Sequence, residues 1–366
     1  MSQQQPTDFV APVEQVRSFV VRCMQTVGTS ASHAAQLADL LLDADIVGHY
    51  SHGLNRLCIY IEDVAAGVKG DGEPKVLKQK GATAWVDGCD LLGAVVGNFC
   101  TELAIKLAKQ HGVGWVVCKR SNHYGICQHY AKKIANAGLL GLSFTNTSPI
   151  IFPTRSAQIG LGTNPISCCA NSRKPGDGFN LDMAASTVAL GKIEIAKVNG
   201  KPAIPPAWGA DSKGRPSTDP LVVLDGGGLM PLGGVSEEGG AHKGTGLAMM
   251  GELFCGLLGG ASFGKNVRSW REVQKSANLG QCFVAIDPEC FAPGFVDHLQ
   301  QFLDETRGLD PLDPAKPVLV PGDPERINTD RSTKADGVIY AEGQIRELEA
   351  LAKKCKVDMF PYKRRF

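Results

Sequence analysis

A chain of 366 residues, 43% of them hydrophobic, buries more than one small core and is expected to fold as closely joined domains. Its 38 basic and 37 acidic residues leave a formal net charge of +1, which excludes the long-range field that draws in nucleic acid or an anionic membrane surface. The 43 glycines point to many turns and close backbone approaches, and the 12 cysteines contain no CxxC spacing of a metal or redox motif.

Residues 1–8 are expected to be mobile, and the polar MSQQQPTDFV carries no apolar signal core, so a reducing cytoplasmic setting is expected. A helix begins near Pro12, with Val13, Val16, Phe19, Val20 and Met24 on one face. Ser30 or Ser32 caps a second helix, whose apolar face takes Ala34, Leu37, Leu41 and Ala44 and which ends before Gly53. A third runs from Arg56 to Ala65. Alternation over Ala82 to Val86 gives a strand, Ala94 to Gln110 a helix closed by Gly112, and Val113 to Cys118 a strand. Ser121 to Gly125 is a loop, Ile126 to Ala137 a helix and Leu139 to Thr145 a strand. The order is indistinct over Gly160 to Cys169, and the Gly- and Pro-rich stretch 199–240 covers the surface or wraps a site. From Gly246 to Gly260 the chain is apolar except for Glu252 and too short to span a bilayer, so it reads as a buried helix from about Thr245 to Leu258. Phe283 to Ile286 is a strand, and Ala292 to Glu305 and Ala341 to Lys353 are helices. This succession is α/β, with functional loops at strand ends and no fixed-period repeat.

His52 and Arg56, in SHGLNR, share a face if helical geometry persists through Gly53. The pair is either a capping cluster with a surface arginine, or a carboxylate grip in which His52 bonds a neighbouring oxygen. His123, in SNHYG, follows a strand, and the reference pKa of histidine lies near neutral, as suits a proton carrier; a structural role is an equal reading at this point. His129 lies on the next helix and reads as structural. Asp182, in NLDMAAST, orients a histidine, binds a cofactor hydroxyl, or caps a turn. Thr163, Asn164 and Pro165 form a tight polar loop whose small side chains let a ligand approach the backbone. His242 and Lys243, in GGAHKGTG, precede the long apolar helix, where backbone amides and a lysine suit a phosphate. No Walker motif, no GxGxxG after a strand, no HExxH and no GxSxG is present, so metal-free catalysis outside a standard dinucleotide fold is expected.

Taken in order, SHGLNR at 51–56, SNHYG at 121–125, GTNP at 162–165, LDMAAST at 181–187, DSKGRPSTDP at 211–220 and HKGTGLAMM at 242–250 resemble the malate/L-lactate dehydrogenase family that is unrelated to the Rossmann-type enzymes. The resemblance spans about residues 9–350. It implies an NAD(P)-dependent oxidoreductase of α/β class with a non-Rossmann cofactor domain over residues 79–299. It further implies a mostly helical domain from residues 1–78, with residues 300–366 packing on it, and a homodimer in which both protomers contribute to the site. Carried over by motif, His123 is the proton donor or acceptor, His52 and Arg56 bind substrate with Arg56 on the carboxylate, and Asp182 joins the catalytic set. Thr147, Ser148, Asn164, Asp182, Met183, Ala184, His242 and Lys243 are cofactor-proximal, with NAD or NADP as cofactor and a small carboxylate as substrate. His242 stands where the family often has an acidic or aromatic residue, and His49 and Tyr50 fall at positions that vary with substrate. Malate/oxaloacetate is the expected pair. The alternatives are an imine or other 2-oxo acid reductase of the same family and a noncatalytic metabolite-binding protein.

Overall fold

The computed structural model describes residues 8–198, 200–269, 272 and 276–365. The expected mobile start lies outside the described residues except for Asp8, which instead opens strand β1 (Asp8–Ala11). This strand pairs antiparallel with β12 (Val338–Ala341) and β13 (Lys363–Arg364), tying the chain's two ends together.

Helix α1 (Val13–Gln25) buries Val16, Phe19, Val20, Cys23 and Met24, the stripe that a 3.6-residue period requires. Ser30 caps α2 (Ala31–Ile46), its side chain accepting from the His33 amide. Helix α3 (Leu57–Ala65) follows two short 3-10 turns, Tyr50–His52 and Leu54–Arg56. Gly53 breaks the helical path between those turns, so the shared helical face expected for His52 and Arg56 does not form.

A seven-stranded sheet lies beside these helices in the order β2-β3-β4-β11-β5-β6-β7. Its strands are β2 (Lys75–Lys80), β3 (Thr83–Asp87), β4 (Val113–Ser121), β5 (Leu140–Thr145), β6 (Ile166–Asn171), β7 (Gly178–Met183) and β11 (Leu279–Ile286). The β3–β4 pair is parallel, joined through helix α4 (Gly93–His111); the other pairs are antiparallel. A Rossmann sheet is mostly parallel, so this largely antiparallel topology is distinct from it. The exposed edge strand β2 carries Lys75, Lys78 and Lys80, charges that discourage pairing with another edge. One continuous apolar core joins α1, α2, α4 and the last helix α11 (Glu342–Cys355) to Val86, Val116 and Phe283 of the sheet.

Helix α5 (Gln128–Asn136) packs on β5 and β6. Beyond β7 come α6 (Leu190–Val198) and a small sheet of β8 (Gly209–Ala210), β9 (Pro216–Ser217) and β10 (Gly228–Leu229), with α7 (Pro220–Leu224) against it. The long apolar helix differs from expectation. It starts earlier, as α8 (Ala241–Glu252), passes through a π-helical turn at Leu253–Leu257, and is buried on one face only. Its small residues Gly244, Ala248, Gly251 and Cys255 face inward, where backbone contact is close, whereas Met249, Leu253, Leu257 and Leu258 are each more than half exposed.

The segment from residue 300 divides. Helix α9 (Phe295–Arg307) sits against β7, with Arg307 donating to both carboxylate oxygens of Asp177 at 2.7 and 2.8 Å. Helix α10 (Asp323–Lys334) reaches the helical region, where Asn328 Nδ2 donates to the Val47 carbonyl at 3.2 Å.

Candidate active site

A cavity of about 320 Å³ opens between the helical region and the sheet. One wall is the turn that carries SHGLNR. That turn is anchored from below by Asp45, fully buried on α2, which accepts from the Leu54 amide at 3.1 Å and the Tyr340 hydroxyl at 2.8 Å. Any side chain at residue 53 would collide with the Asp45 carboxylate, so the turn requires glycine there. Burial raises Asp45 to about 7, against the pull of the Leu54 and Tyr340 bonds. Arg56 folds back to donate from Nε to the Ser51 carbonyl at 2.6 Å, and Ser51 Oγ lies 3.0 Å from His52 Nδ1.

His123 approaches from the loop after β4. The loop is held by buried amides: Gln281 Nε2 donates to the Asn122 carbonyl at 2.9 Å, and Asn122 Nδ2 to the Leu91 carbonyl at 2.8 Å. Gly125 takes φ +76° with Leu40 packed against it, a conformation L side chains rarely adopt. The His52 and His123 rings stack with centroids 5.9 Å apart and 20° between planes. Behind His123, the Tyr60 hydroxyl lies 2.6 Å from Nδ1, and the Gly125 amide donates to the same nitrogen at 3.3 Å.

Both imidazoles are held neutral. Burial and then the Arg56 guanidinium lower His123 to about 4. Burial, His123, Arg56 and His49 lower His52 to about 3. A bound anion on Arg56 offsets the repulsion from that guanidinium and eases protonation of both rings. At the rim, burial opposes protonation of His49, but Glu325, 3.3 Å away, and Asp182 outweigh it and raise its pKa. Deeper in, Arg268 Nη2 donates to Asp63 Oδ1 at 2.9 Å, with both side chains under a tenth exposed. Burial raises Asp63 against the pull of Arg268.

The opposite wall runs through Thr147 and Ser148 to Asp182, Met183, Ala184 and Gly191. Asp182 Oδ2 accepts from the Gln128 amide at 2.9 Å, and burial raises its pKa to about 6 despite that bond and nearby His49. Small and apolar groups beside one buried carboxylate fit a flat nicotinamide ring and a hydroxyl-rich ribose. Among the described residues no cluster of His, Cys, Asp and Glu has the arrangement of a metal site.

The structure therefore gathers His52, Arg56, His123, Thr147, Ser148, Asp182, Met183 and Ala184 around one cavity. Asn164 stands behind it: Nδ2 donates to Glu252 Oε1 at 3.0 Å, and Oδ1 accepts from the Thr147 amide at 3.0 Å. It positions the Thr147 loop rather than lining the space. His242 and Lys243 are exposed in the first turn of α8, outside the cavity lining. His129 is buried and paired with Asp43. Sequence reasoning missed Tyr60, Asp63 and Arg268. The first two sit one helical turn apart on α3, but nothing in the order of residues separates them from ordinary helix positions.

A family model described as malate/L-lactate dehydrogenase matches residues 11–349. The chain belongs to this family. Its chemistry is hydride transfer between NAD(P) and a 2-hydroxy or 2-oxo acid. Among individual relatives, a malate dehydrogenase of Pyrococcus horikoshii is 35% identical over 351 residues, covering 95% of this chain and 96% of the relative. Its solved structure superposes with a TM-score of 0.88 at 32% identity, covering 98% of this chain and 99% of that one. A malate/(S)-sulfolactate dehydrogenase of Methanothermus fervidus is 33% identical, covering 94% and 98%. The sulfolactate dehydrogenase structure from Methanocaldococcus jannaschii gives a TM-score of 0.85 at 32% identity, covering 95% and 98%.

Proposed function

We propose that this family member is a malate dehydrogenase, moving hydride between NAD or NADP and the malate/oxaloacetate pair. The observation that carries this reading is the pair of guanidiniums on one cavity. Arg56 stands beside two neutral histidines, and Arg268, ion-paired with Asp63, lies farther along the lining. A substrate with an anionic group at each end fits two guanidiniums, although Asp63 already shares the charge of the second; the named substrates of the M. fervidus relative, malate and sulfolactate, are both such dianions.

In this reading the planar fork of Arg56 takes the C1 carboxylate, and His52 bonds the neighbouring carbonyl oxygen. Arg268 meets the distal carboxylate. The reduced nicotinamide, when bound, would supply the hydride to C2; His123 gives a proton to the developing alkoxide, and in oxidation His123 removes the hydroxyl proton. Thr147, Ser148, Asp182, Met183 and Ala184 hold the nicotinamide half of the cofactor. The exposed Lys243, with His242 and the amides of the first turn of α8, meets its phosphates. We place the enzyme in the cytoplasm as a homodimer. All twelve cysteines are unpaired, in keeping with a reducing compartment, and the exposed apolar face of α8 supports a second copy.

The test is the loss of NADH or NADPH absorbance with purified protein and a panel of 2-oxo acids. Oxaloacetate is expected to outpace pyruvate, and the double variant Asp63→Asn/Arg268→Gln to lose about tenfold of that preference, the worth of one charged hydrogen bond. Faster turnover of a monoanionic or cyclic imino acid replaces the substrate; NADH binding without turnover of any of them rejects the catalytic reading.

A further inference from the structure

Tyr60 is a residue whose placement hydride and proton transfer at C2 leaves unexplained. It is buried on α3, its ring meets that of His123 edge-on at 5.7 Å, and its hydroxyl is 2.6 Å from Nδ1. The Gly125 amide, which also addresses the Tyr60 hydroxyl, reaches Nδ1 at 3.3 Å, and an amide N–H only donates. Nδ1 is therefore an acceptor in the resting site. Neutral His123 carries its single proton on Nε2, and Tyr60 too is a donor. A neutral imidazole that surrenders Nε2–H is left as an imidazolate unless Nδ1 gains a proton in the same motion.

The surrounding charges set the terms. Arg56 and His52 face His123 from the SHGLNR turn; Asp63, paired with Arg268, lies one turn along α3; and the Tyr130 phenol of α5 feels the charge of Tyr60 from the other side. Burial first, and then the Arg56 cation, oppose a standing imidazolium, so at neutral pH the site does not hold a second proton on His123 in advance. The proton-bearing group already hydrogen-bonded to Nδ1 is Tyr60.

We propose that Tyr60 supplies His123 with its proton from behind, so that the two act as a relay. This rests on His123 being the acid–base group of the proposed reaction. As C2 gains hydride and the C=O π bond opens, the new alkoxide takes the proton from Nε2. The Tyr60 O–H bond breaks, its proton passes to Nδ1, and the phenolate oxygen keeps the electron pair. The alcohol and a neutral Nδ1–H imidazole result. After product leaves, a solvent proton enters at Nε2 and the Nδ1 proton returns to Tyr60, so each turnover consumes one hydride and one proton. Oxidation runs the same path in reverse. Tyr60 lines the same cavity and acts through His123, not on the reacting atoms.

The relay makes a prediction that packing alone does not. Tyr60→Phe keeps the ring and loses the hydroxyl, so this variant must wait for an imidazolium. Its reductive kcat should match wild type at acid pH and then fall about tenfold per pH unit, where wild type stays level through neutrality, with KM for oxaloacetate unchanged. A rate lowered by the same factor at every pH, or not lowered at all, overturns the proposal. A second readout needs no turnover. The imidazole 15N shifts of His123 in histidine-labelled wild type, identified by their absence in His123→Gln, should report the Nε2–H tautomer; an Nδ1–H tautomer overturns the relay. Absence of wild-type activity with every 2-oxo acid would defeat the proposed reaction instead, and the tautomer measurement would still decide the proton arrangement at Tyr60.

Discussion

His52 and His123 stack face to face across the same cavity, yet they are supported in opposite ways. His52 draws its Nδ1 partner from the adjacent residue, Ser51, within one short turn. His123 is fixed by Tyr60 from α3 and by amides that lead back through Asn122 and Gln281 to the sheet. A partner next in sequence moves with its histidine, whereas a partner on another element holds the ring to a set position. The difference assigns positioning of substrate to the first ring and proton transfer, which tolerates less displacement, to the second.

That contrast breaks most visibly on kcat. His123→Gln is expected to lower kcat by about 100-fold or more, the usual worth of general acid–base catalysis. His52→Ala is expected to cost about tenfold and chiefly through KM, as loss of one hydrogen bond to substrate does. Steady-state kinetics on both variants check this, and a larger kcat loss for His52→Ala would exchange the two roles.

The turn under His52 offers a structural test. Gly53→Ala drives a methyl into the Asp45 carboxylate, so overpacking should cost about 1–3 kcal/mol of stability, read by urea unfolding. The His123 loop should keep its geometry in that variant.

The smallest effect concerns charge. Burial first, and then the positive charge of Arg56, hold both imidazoles well below the usual histidine range, so they are neutral at pH 7 and protonate only in acid. A dianionic inhibitor such as malonate should raise both pKa values by a fraction of a unit to about one unit, measured by NMR titration. The larger rise belongs to the ring nearer the anion.

Much of this fold is legible in the residue order because periodicity follows burial. Helix α1, with its inward stripe, and strand β4, with its apolar run, are found close to where they form. Elements without that contrast escape notice. Strand β2 is exposed along its whole length and rich in lysine, and α10 buries Ser332 but presents no apolar stripe. Strand β7 is half-buried on both faces, so it lacks the alternation that marks β3. In the long α8 segment, apolar composition hides that its small residues face inward and its large ones outward.

The site divides along the same line. Short motifs bring His52, Arg56, His123 and Asp182 to attention because their chemistry is conspicuous. Tyr60, Asp63 and Arg268 acquire meaning only through partners 63 and 205 residues away, contacts that no local pattern announces. Asn164 is the converse case, conspicuous in a Gly-rich loop yet committed on both side-chain atoms to Glu252 and Thr147.

The most direct test of the central claim is NADH oxidation by oxaloacetate, followed in the wild type and in His123→Gln side by side, with NADH binding measured in both. Rapid turnover by the wild type, a loss of about 100-fold in the variant and equal NADH affinity are expected. Equal turnover by the two proteins would contradict it, because the proton would then be moving by a route that does not pass through His123.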